Sequence, residues 1–343
     1  MKIILDAMGG DNAPEAVVLG ALDAVKDFDT EIILVGKGEE ILAAMKKNGI
    51  SDLPAGVAIA NADDVVDMHD DPAAVLHKRK NSSMVVGLKM LAEGQGDAFI
   101  SAGSTGALLT AATLVVKRVK GIRRAAMAPA FPNKAGSKTI ICDCGANAEC
   151  TPEFLLQFAI VGSLHAKKTL GIANPRVGLL NIGTEDSKGT ALQLAVYPML
   201  VDAHEKGLIN FIGNVEARQV PMGEVDVVVC DGFSGNVMLK TIEGTAMFLG
   251  SKISAMFKKN LVSKLAAARV MKDIKAFKKL LDYREIGGTQ FVGIKKPVIK
   301  AHGSSDARAF YNAVRQAVDA ANNNTAEELE AALKQISVAK EKA

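Results

Sequence analysis

Five strand-to-helix turns in this chain carry small and polar residues of the kinds that hold anions or polarise a carbonyl. The first is Asp6-Ala7-Met8-Gly9-Gly10-Asp11-Asn12-Ala13-Pro14. Gly9 and Gly10 permit close backbone approach and positive φ, and Asp6 and Asp11 can orient a hydroxyl, a water or a cation. The same residues also suit a tight turn whose aspartate caps a helix. The second turn is Ser101-Ala102-Gly103-Ser104-Thr105-Gly106-Ala107, without the lysine of a nucleotide-binding P-loop. Free N–H groups at such a helix start attract a phosphate, or the oxyanion of a thioester under attack. Ordinary strand-to-helix turns use these residues too. Asp143-Cys144-Gly145-Ala146-Asn147, Asn181-Ile182-Gly183-Thr184-Glu185 and Asp231-Gly232-Phe233-Ser234-Gly235-Asn236 complete the set. Polar groups repeated at strand carboxyl ends converge on one crevice in an open α/β sheet, and that crevice is the expected active site. The sequence has no Gly-x-Ser-x-Gly elbow, no His-Glu-x-x-His helix and no cysteine with an evident partner base. Direct displacement is therefore expected, with no covalent nucleophile.

The turns need strands to hold them. Strand-like runs at 2–5, 31–35, 57–60, 98–101, 138–142, 177–181, 210–212 and 225–230 each precede a turn and a helical pattern. That alternation predicts an α/β fold of three layers, with a large and mostly parallel sheet between helices. The runs 32–35 and 225–230 are apolar at nearly every position, as in strands buried on both faces, and are expected at the sheet centre. No repeat of fixed period interrupts the chain, and a polar, alanine-rich tail from about Asn322 predicts a terminal helix after Thr325.

With 343 residues, 49% of them hydrophobic, the chain can bury a large core, as one big domain or two intertwined ones. Its uncharged apolar stretches fall short of the roughly 20 residues that a membrane-spanning helix requires, and its start runs straight into a strand. A cytoplasmic protein is expected. The cysteines Cys142, Cys144, Cys150 and Cys230 lack zinc-ribbon spacing and are too few for a disulfide framework, so they read as reduced thiols with no metal.

Six motifs in one order, spread from residue 1 to about 320, resemble the PlsX-type phosphate acyltransferase family. They are the turns 6–14 and 101–107, Asp143-x-Gly145-Ala146-Asn147, Asn181-Ile182-Gly183-x-Glu185, Asp231-Gly232-Phe233-x-Gly235-Asn236 with Lys240, and His302-Gly303-Ser304-Ser305. The family's usual Arg-Pro-Ala after the second turn stands here as Arg124-Ala125-Ala126, which keeps the arginine and loses the rigid turn. The resemblance implies a fold similar to phosphotransacetylases and isocitrate dehydrogenases, built as one unit of two intertwined subdomains, about 1–125 with 290–343 and about 126–289. It also implies a homodimer that needs no cofactor. The implied reaction moves a long acyl chain from acyl carrier protein to inorganic phosphate, supplying acyl phosphate to a membrane glycerol-3-phosphate acyltransferase in phospholipid synthesis.

That chemistry assigns tasks. A phosphate oxygen attacks the thioester carbonyl, negative charge builds on the carbonyl oxygen, and the carrier's thiolate leaves. Arg124, Lys188 or Lys240 can hold the phosphate dianion, and a guanidinium fork does so best. The amides of 101–106, or those of Gly303 and Ser304, can face the oxyanion. His302, with a reference pKa of about 6.5, can protonate sulfur or steady the phosphate, or can simply be bonded to backbone. Asp6, Asp11 and Ser304 join His302 as catalytic candidates, while Asp143, Asn147, Asn181, Glu185, Asp231 and Asn236 are candidates for lining the site. A short-chain phosphotransacetylase acting on acyl-coenzyme A would share this chemistry. A nicotinamide-dependent dehydrogenase would need an acidic metal cluster and an arginine-rich pocket, which the sequence does not assemble. A non-enzymatic lipid-surface scaffold would not need the five polar turns.

The formal charge of +3 conceals a local excess. Residues 246–281 hold nine Lys or Arg against Asp273 alone, which leaves 32 basic and 37 acidic residues elsewhere. Phe248, Ile253, Phe257, Leu261, Leu265, Ile274, Phe277 and Leu281 fall at roughly helical spacing between lysines such as Lys258, Lys259 and Lys264. Two amphipathic helices with a break near 260–263 are expected. Three partners fit such a hairpin: a second subunit, an anionic membrane surface, or the acidic face of acyl carrier protein. Nucleic acid fits poorly, because no stacking aromatic beyond phenylalanine and no nucleic-acid motif accompanies the cations.

Overall fold

The computed structural model describes residues 1–280, 282–323 and 325–340. Leu281, and the side chains of Lys275, Lys278 and Lys279, lie outside the described residues. Branched apolar runs form two sheets. The first has seven strands in the order β3 (Val57–Asn61), β2 (Glu31–Gly36), β1 (Lys2–Asp6), β4 (Ala98–Ser101), β12 (Val298–Ala301), β11 (Gly288–Val292) and β5 (Ala126–Met127). The second has five: β6 (Ala130–Pro132), β7 (Lys138–Cys142), β10 (Val227–Val229), β8 (Arg176–Leu180) and β9 (Asn210–Val215). Pairing is parallel except at β11 with β12, β11 with β5, and β6 with β7.

The valines of β10 are fully buried at the centre of the second sheet, as the run 225–230 predicts. β2 is flanked on both sides yet lies second from an edge, so its apolar run reports burial of both faces and not a central place. β5, β6, β11 and β12 were not among the expected strands. The chain passes from the first sheet to the second between Met127 and Ala130, and returns at Gly288.

Helices close both faces of the first sheet. α1 (Glu15–Asp27), α2 (Gly38–Lys47) and α10 (Ala307–Asn322) pack with Ile3, Leu5 and Ile32, whereas α3 (Val75–Lys78), α4 (Ser83–Ala92) and α5 (Thr105–Val115) pack with Ile4, Ile33 and Phe99. Alternate residues of one strand thus enter opposite cores, which is the three-layer arrangement. On the second sheet, α6 (Pro152–Thr169), α7 (Ala191–Glu205) and α11 (Ala326–Lys340) share one core, and Met238 of α8 (Gly232–Lys258) joins the other. α11 begins where the tail helix was expected. α9 (Leu261–Leu280) follows a break at 259–260, where the Asn260 side chain accepts from Ser263 N at 2.8 Å and so starts the second helix of the hairpin. No helix among the described residues is long and apolar enough to cross a membrane.

Candidate active site

The carboxyl ends of β1, β4 and β12 bring three of the glycine-bearing segments together. Asp11 N donates to Gly303 O at 2.8 Å, and Asn12 Nδ2 donates to the carbonyls of Ser304 and Ser305, both at 3.2 Å. Gly10 has φ of +100°, and a Cβ there would lie 2.9 Å from Ala102 Cβ and 3.0 Å from Gly303 O, so only glycine lets the three segments meet. A cleft of about 300 Å³ opens beside them, walled by Met8, Val65, Val66 and Met68 and floored by Gly10, Gly103 and Gly303. Asp11, Asp67 and Arg79 also line it, but the Arg79 guanidinium is engaged, bidentate on Asp70 and bonded to Asp64.

Asp6 sits beneath this floor, 2% exposed. Ser101 Oγ donates to its Oδ2 at 2.6 Å, and the Gly103 amide donates to Ser101 Oγ at 3.1 Å. Burial pushes the Asp6 carboxyl up, against bonds from Ser101 and the Met8 and Gly9 amides that pull it down. The Gly103 amide is therefore taken by Ser101. The next N–H groups, those of Ser104, Thr105 and Gly106 at the start of α5, have no acceptor among the described residues. His302 Nδ1 accepts from Ser304 N at 3.2 Å and lies 2.8 Å from Ser304 Oγ. A backbone N–H aimed at Nδ1 makes it the acceptor and leaves the proton of the neutral ring on Nε2. Burial lowers the His302 pKa, and the nearby Lys240 and Lys300 charges lower it further.

The second sheet contributes the turn after β7. Asp143 is fully buried and its carboxylate organises that turn: Oδ1 accepts from Met127 N at 2.8 Å, Cys144 N at 2.6 Å and Ala146 N at 3.4 Å, and Oδ2 from Asn147 N at 2.6 Å and Asn147 Nδ2 at 3.0 Å. Through Met127 it ties the two sheets together. Burial still pushes its carboxyl up, although these donors oppose the shift. Asn147 Nδ2 also reaches Ala125 O at 2.8 Å, and its carbonyl accepts from Gly232 N at 2.7 Å. Asp231 caps α8 by accepting from Ser234 N and Ser234 Oγ, both at 2.8 Å. A Cβ at Gly235 would lie 2.0 Å from Asp143 O, so glycine there allows α8 to start directly on the Asp143 turn. Asn236 packs against Gly145, and Lys240, ion-paired with Glu243 at 2.8 Å, is close enough to act on both Cys144 and His302. Lys240 therefore joins the two halves electrostatically.

The remaining candidates stand apart. Asn181 accepts from Ile182 N and donates to Lys188 O at 3.0 Å, and the Glu185 carbonyl accepts from Asn214 Nδ2 at 2.7 Å. These bonds keep the Asn181, Glu185 and Lys188 turn folded on itself at the end of β8. Arg124 is exposed, with its guanidinium 5.8 Å over the Phe154 ring, and no carboxylate among the described residues pairs with it. Burial pushes the thiols of Cys144 and Cys150 up to about 12 and those of Cys142 and Cys230 well above the usual thiol range, so all four are neutral and poorly nucleophilic.

One group was missed by sequence reasoning. Lys300, on β12, donates through Nζ to Ala102 O at 3.2 Å and to Ala301 O, and senses both Asp6 and Asp11. Desolvation brings its pKa down to about 8. A lysine inside a short apolar run was the available signal.

Glycine turns over the buried Asp6, with Lys240 of α8 acting on His302, define an α/β protein with a cleft at the carboxyl ends of parallel strands. Residues 1–328 match the model of the family described as fatty acid synthesis protein. A phosphate acyltransferase from Bacillus licheniformis is 45% identical over 336 residues, 98% of this chain and 99% of that relative. Among solved structures, a phosphotransacetylase from Streptococcus pyogenes superposes with a TM-score of 0.61 at 20% identity, covering 94% of each chain. A 4-hydroxythreonine-4-phosphate dehydrogenase from Klebsiella pneumoniae gives 0.55 at 11%, covering 94% of this chain and 99% of that one. These two similarities show the fold. The chain belongs to the fatty acid synthesis protein family and, within it, to the phosphate acyltransferases, which are acyltransferase enzymes.

Proposed function

We propose that this enzyme transfers a long acyl group from acyl carrier protein to inorganic phosphate, releasing acyl phosphate and free carrier thiol. The observation that carries the reading is the donor-rich start of α5, beside Gly103 and Gly303, with Lys240 and His302 nearby. Phosphate oxygen bonds to the thioester carbon as charge builds on the carbonyl oxygen, to which the Ser104, Thr105 and Gly106 amides can donate. The carbon–sulfur bond then breaks, and the sulfur takes the electron pair. His302, with its proton on Nε2, is placed to donate toward the departing thiolate. Asp6 and Asp143 act by shaping the turns. The chain folds as one unit of two intertwined subdomains, and the protein works as a cytoplasmic homodimer that feeds acyl phosphate to a membrane glycerol-3-phosphate acyltransferase.

Purified protein given palmitoyl-carrier protein should release free thiol only when phosphate is present. Equal release without phosphate would identify a thioesterase instead, and faster turnover of acetyl-coenzyme A would identify a short-chain phosphotransacetylase. The Arg124 guanidinium, stacked over Phe154, pairs with no carboxylate among the described residues, which supports a part in holding the dianion. Arg124→Ala should raise the phosphate KM tenfold or more, from the loss of about 1.5–3 kcal/mol of charge-assisted bonding. An unchanged KM would move that role to Lys188 or Lys240.

A further inference from the structure

Lys300, Ser101 and Asp6 form a row across three neighbouring parallel strands. Lys300 is in register with Ser101, and one strand further the Ser101 hydroxyl donates to Asp6. Paired residues of parallel strands point to the same face, so cation, hydroxyl and carboxylate lie side by side under the cleft floor. The ammonium is anchored on the carbonyls of Ala102 and Ala301, at the ends of β4 and β12, from which the two glycine segments depart. Ala102 and Gly103 themselves line the cleft.

Charge supplies the second argument. Without Lys300 the charged groups under and lining the floor would be the carboxylates of Asp6, Asp11 and Asp67, since the Arg79 charge is already paired with Asp64 and Asp70. Such a floor would repel a dianion. A half-buried ammonium below the backbone amides reverses that field while leaving the amides themselves to make contact.

We propose that Lys300 is a positioning residue for phosphate, which clamps the Ala102 and Ala301 carbonyls so that the glycine turns present their amides and which makes the cleft floor electropositive. The inference rests on the phosphate-dependent transfer proposed above. Its titratable neighbours are Asp6 and Asp11 on the β1 side and His302 beyond the end of β12.

The test measures thiol release from palmitoyl-carrier protein against phosphate concentration for wild type, Lys300→Met and Lys300→Arg, with thermal melts of each. Lys300→Met should raise the phosphate KM by tenfold or more and change kcat much less, and Lys300→Arg should recover part of the loss. In wild type the phosphate KM should climb as pH rises through about 8, where the ammonium loses its proton, and in Lys300→Arg that climb should vanish. A Lys300→Met protein of normal melt whose phosphate KM stays within twofold of wild type overturns the proposal. If Lys300→Met does not fold, the arginine variant decides: a climb near pH 8 that persists in it belongs to another group and equally overturns the proposal. Wild-type thiol release that ignores phosphate altogether would instead overturn the reading on which this one rests.

Discussion

Asp143→Ala is expected to lower stability by about 4 kcal/mol or more and to abolish phosphate-dependent turnover at the temperature where the wild type works. The carboxylate is fully buried and accepts five hydrogen bonds, four from backbone N–H groups and one from the Asn147 amide. Truncation leaves those donors without a partner in a place that water does not reach, at about 1–3 kcal/mol for each buried group stranded. Relaxation of the turn will recover part of the sum, so the estimate is set well below a simple addition. For a chain of this length the loss corresponds to a fall of about 5 °C or more in Tm. Asp143→Asn should fall between, because its oxygen can still accept from the Met127 and Cys144 amides while its NH2 confronts the Asn147 N–H. The same variants should disturb the position of Lys240, since α8 starts on this turn through Gly232 and Gly235. Thermal melts with initial rates measure both effects. A stable Asp143→Ala protein with normal turnover would show that the turn is held by other contacts and that its carboxylate is dispensable.

This aspartate also marks where sequence reading reaches its limit. The turn itself was legible, because Asp-x-Gly-Ala-Asn after an apolar run has few other uses in an α/β fold. Its task was not legible, since the donors come from Met127 on another sheet as well as from the turn. The strands that were found, such as β1, β2 and β10, are runs of Ile, Leu and Val whose burial on both faces is written in their composition. Those that were missed pair antiparallel or interrupt their own pattern. β5 and β6 have two and three residues around Pro129, and β11 mixes Gly288, Thr289 and Gln290 with two apolar residues. β12 hides Lys300 in Val298-Ile299-Lys300-Ala301, where alternation suggests a solvent-facing lysine. What buries it is β4 and the Asp6 turn, about two hundred or more positions earlier in the chain, and no local pattern encodes that meeting.

The basic hairpin was legible in the opposite sense, as an excess of charge and apolar spacing that the core does not use. Its first helix is longer than expected: α8 runs 27 residues from the Asp231 cap in the site to Lys258, about 40 Å of continuous helix. Site and hairpin are therefore parts of one element. Met247 is 76% exposed, Met256 69%, Leu261 74%, Val262 76% and Leu265 66%, beside exposed Lys258, Lys259 and Lys264. Such a surface suits shallow insertion among lipids, with each nearby cation adding about 1 kcal/mol on an anionic bilayer. Vesicles rich in phosphatidylglycerol should therefore recruit the protein, neutral vesicles should bind little, and salt at about 0.5 M should release much of what is bound. Replacing Leu261 and Leu265 by Glu removes two insertion anchors and adds two like charges facing the bilayer, so recruitment should fall to the level seen with neutral vesicles. Thiol release in solution should survive, because the glycine turns, Asp143 and Lys300 are built from other segments. If the double variant stayed on anionic vesicles, or unfolded and lost a wild-type dimer, the exposed leucines would belong to a subunit interface or a core, and the membrane reading of the hairpin would be rejected.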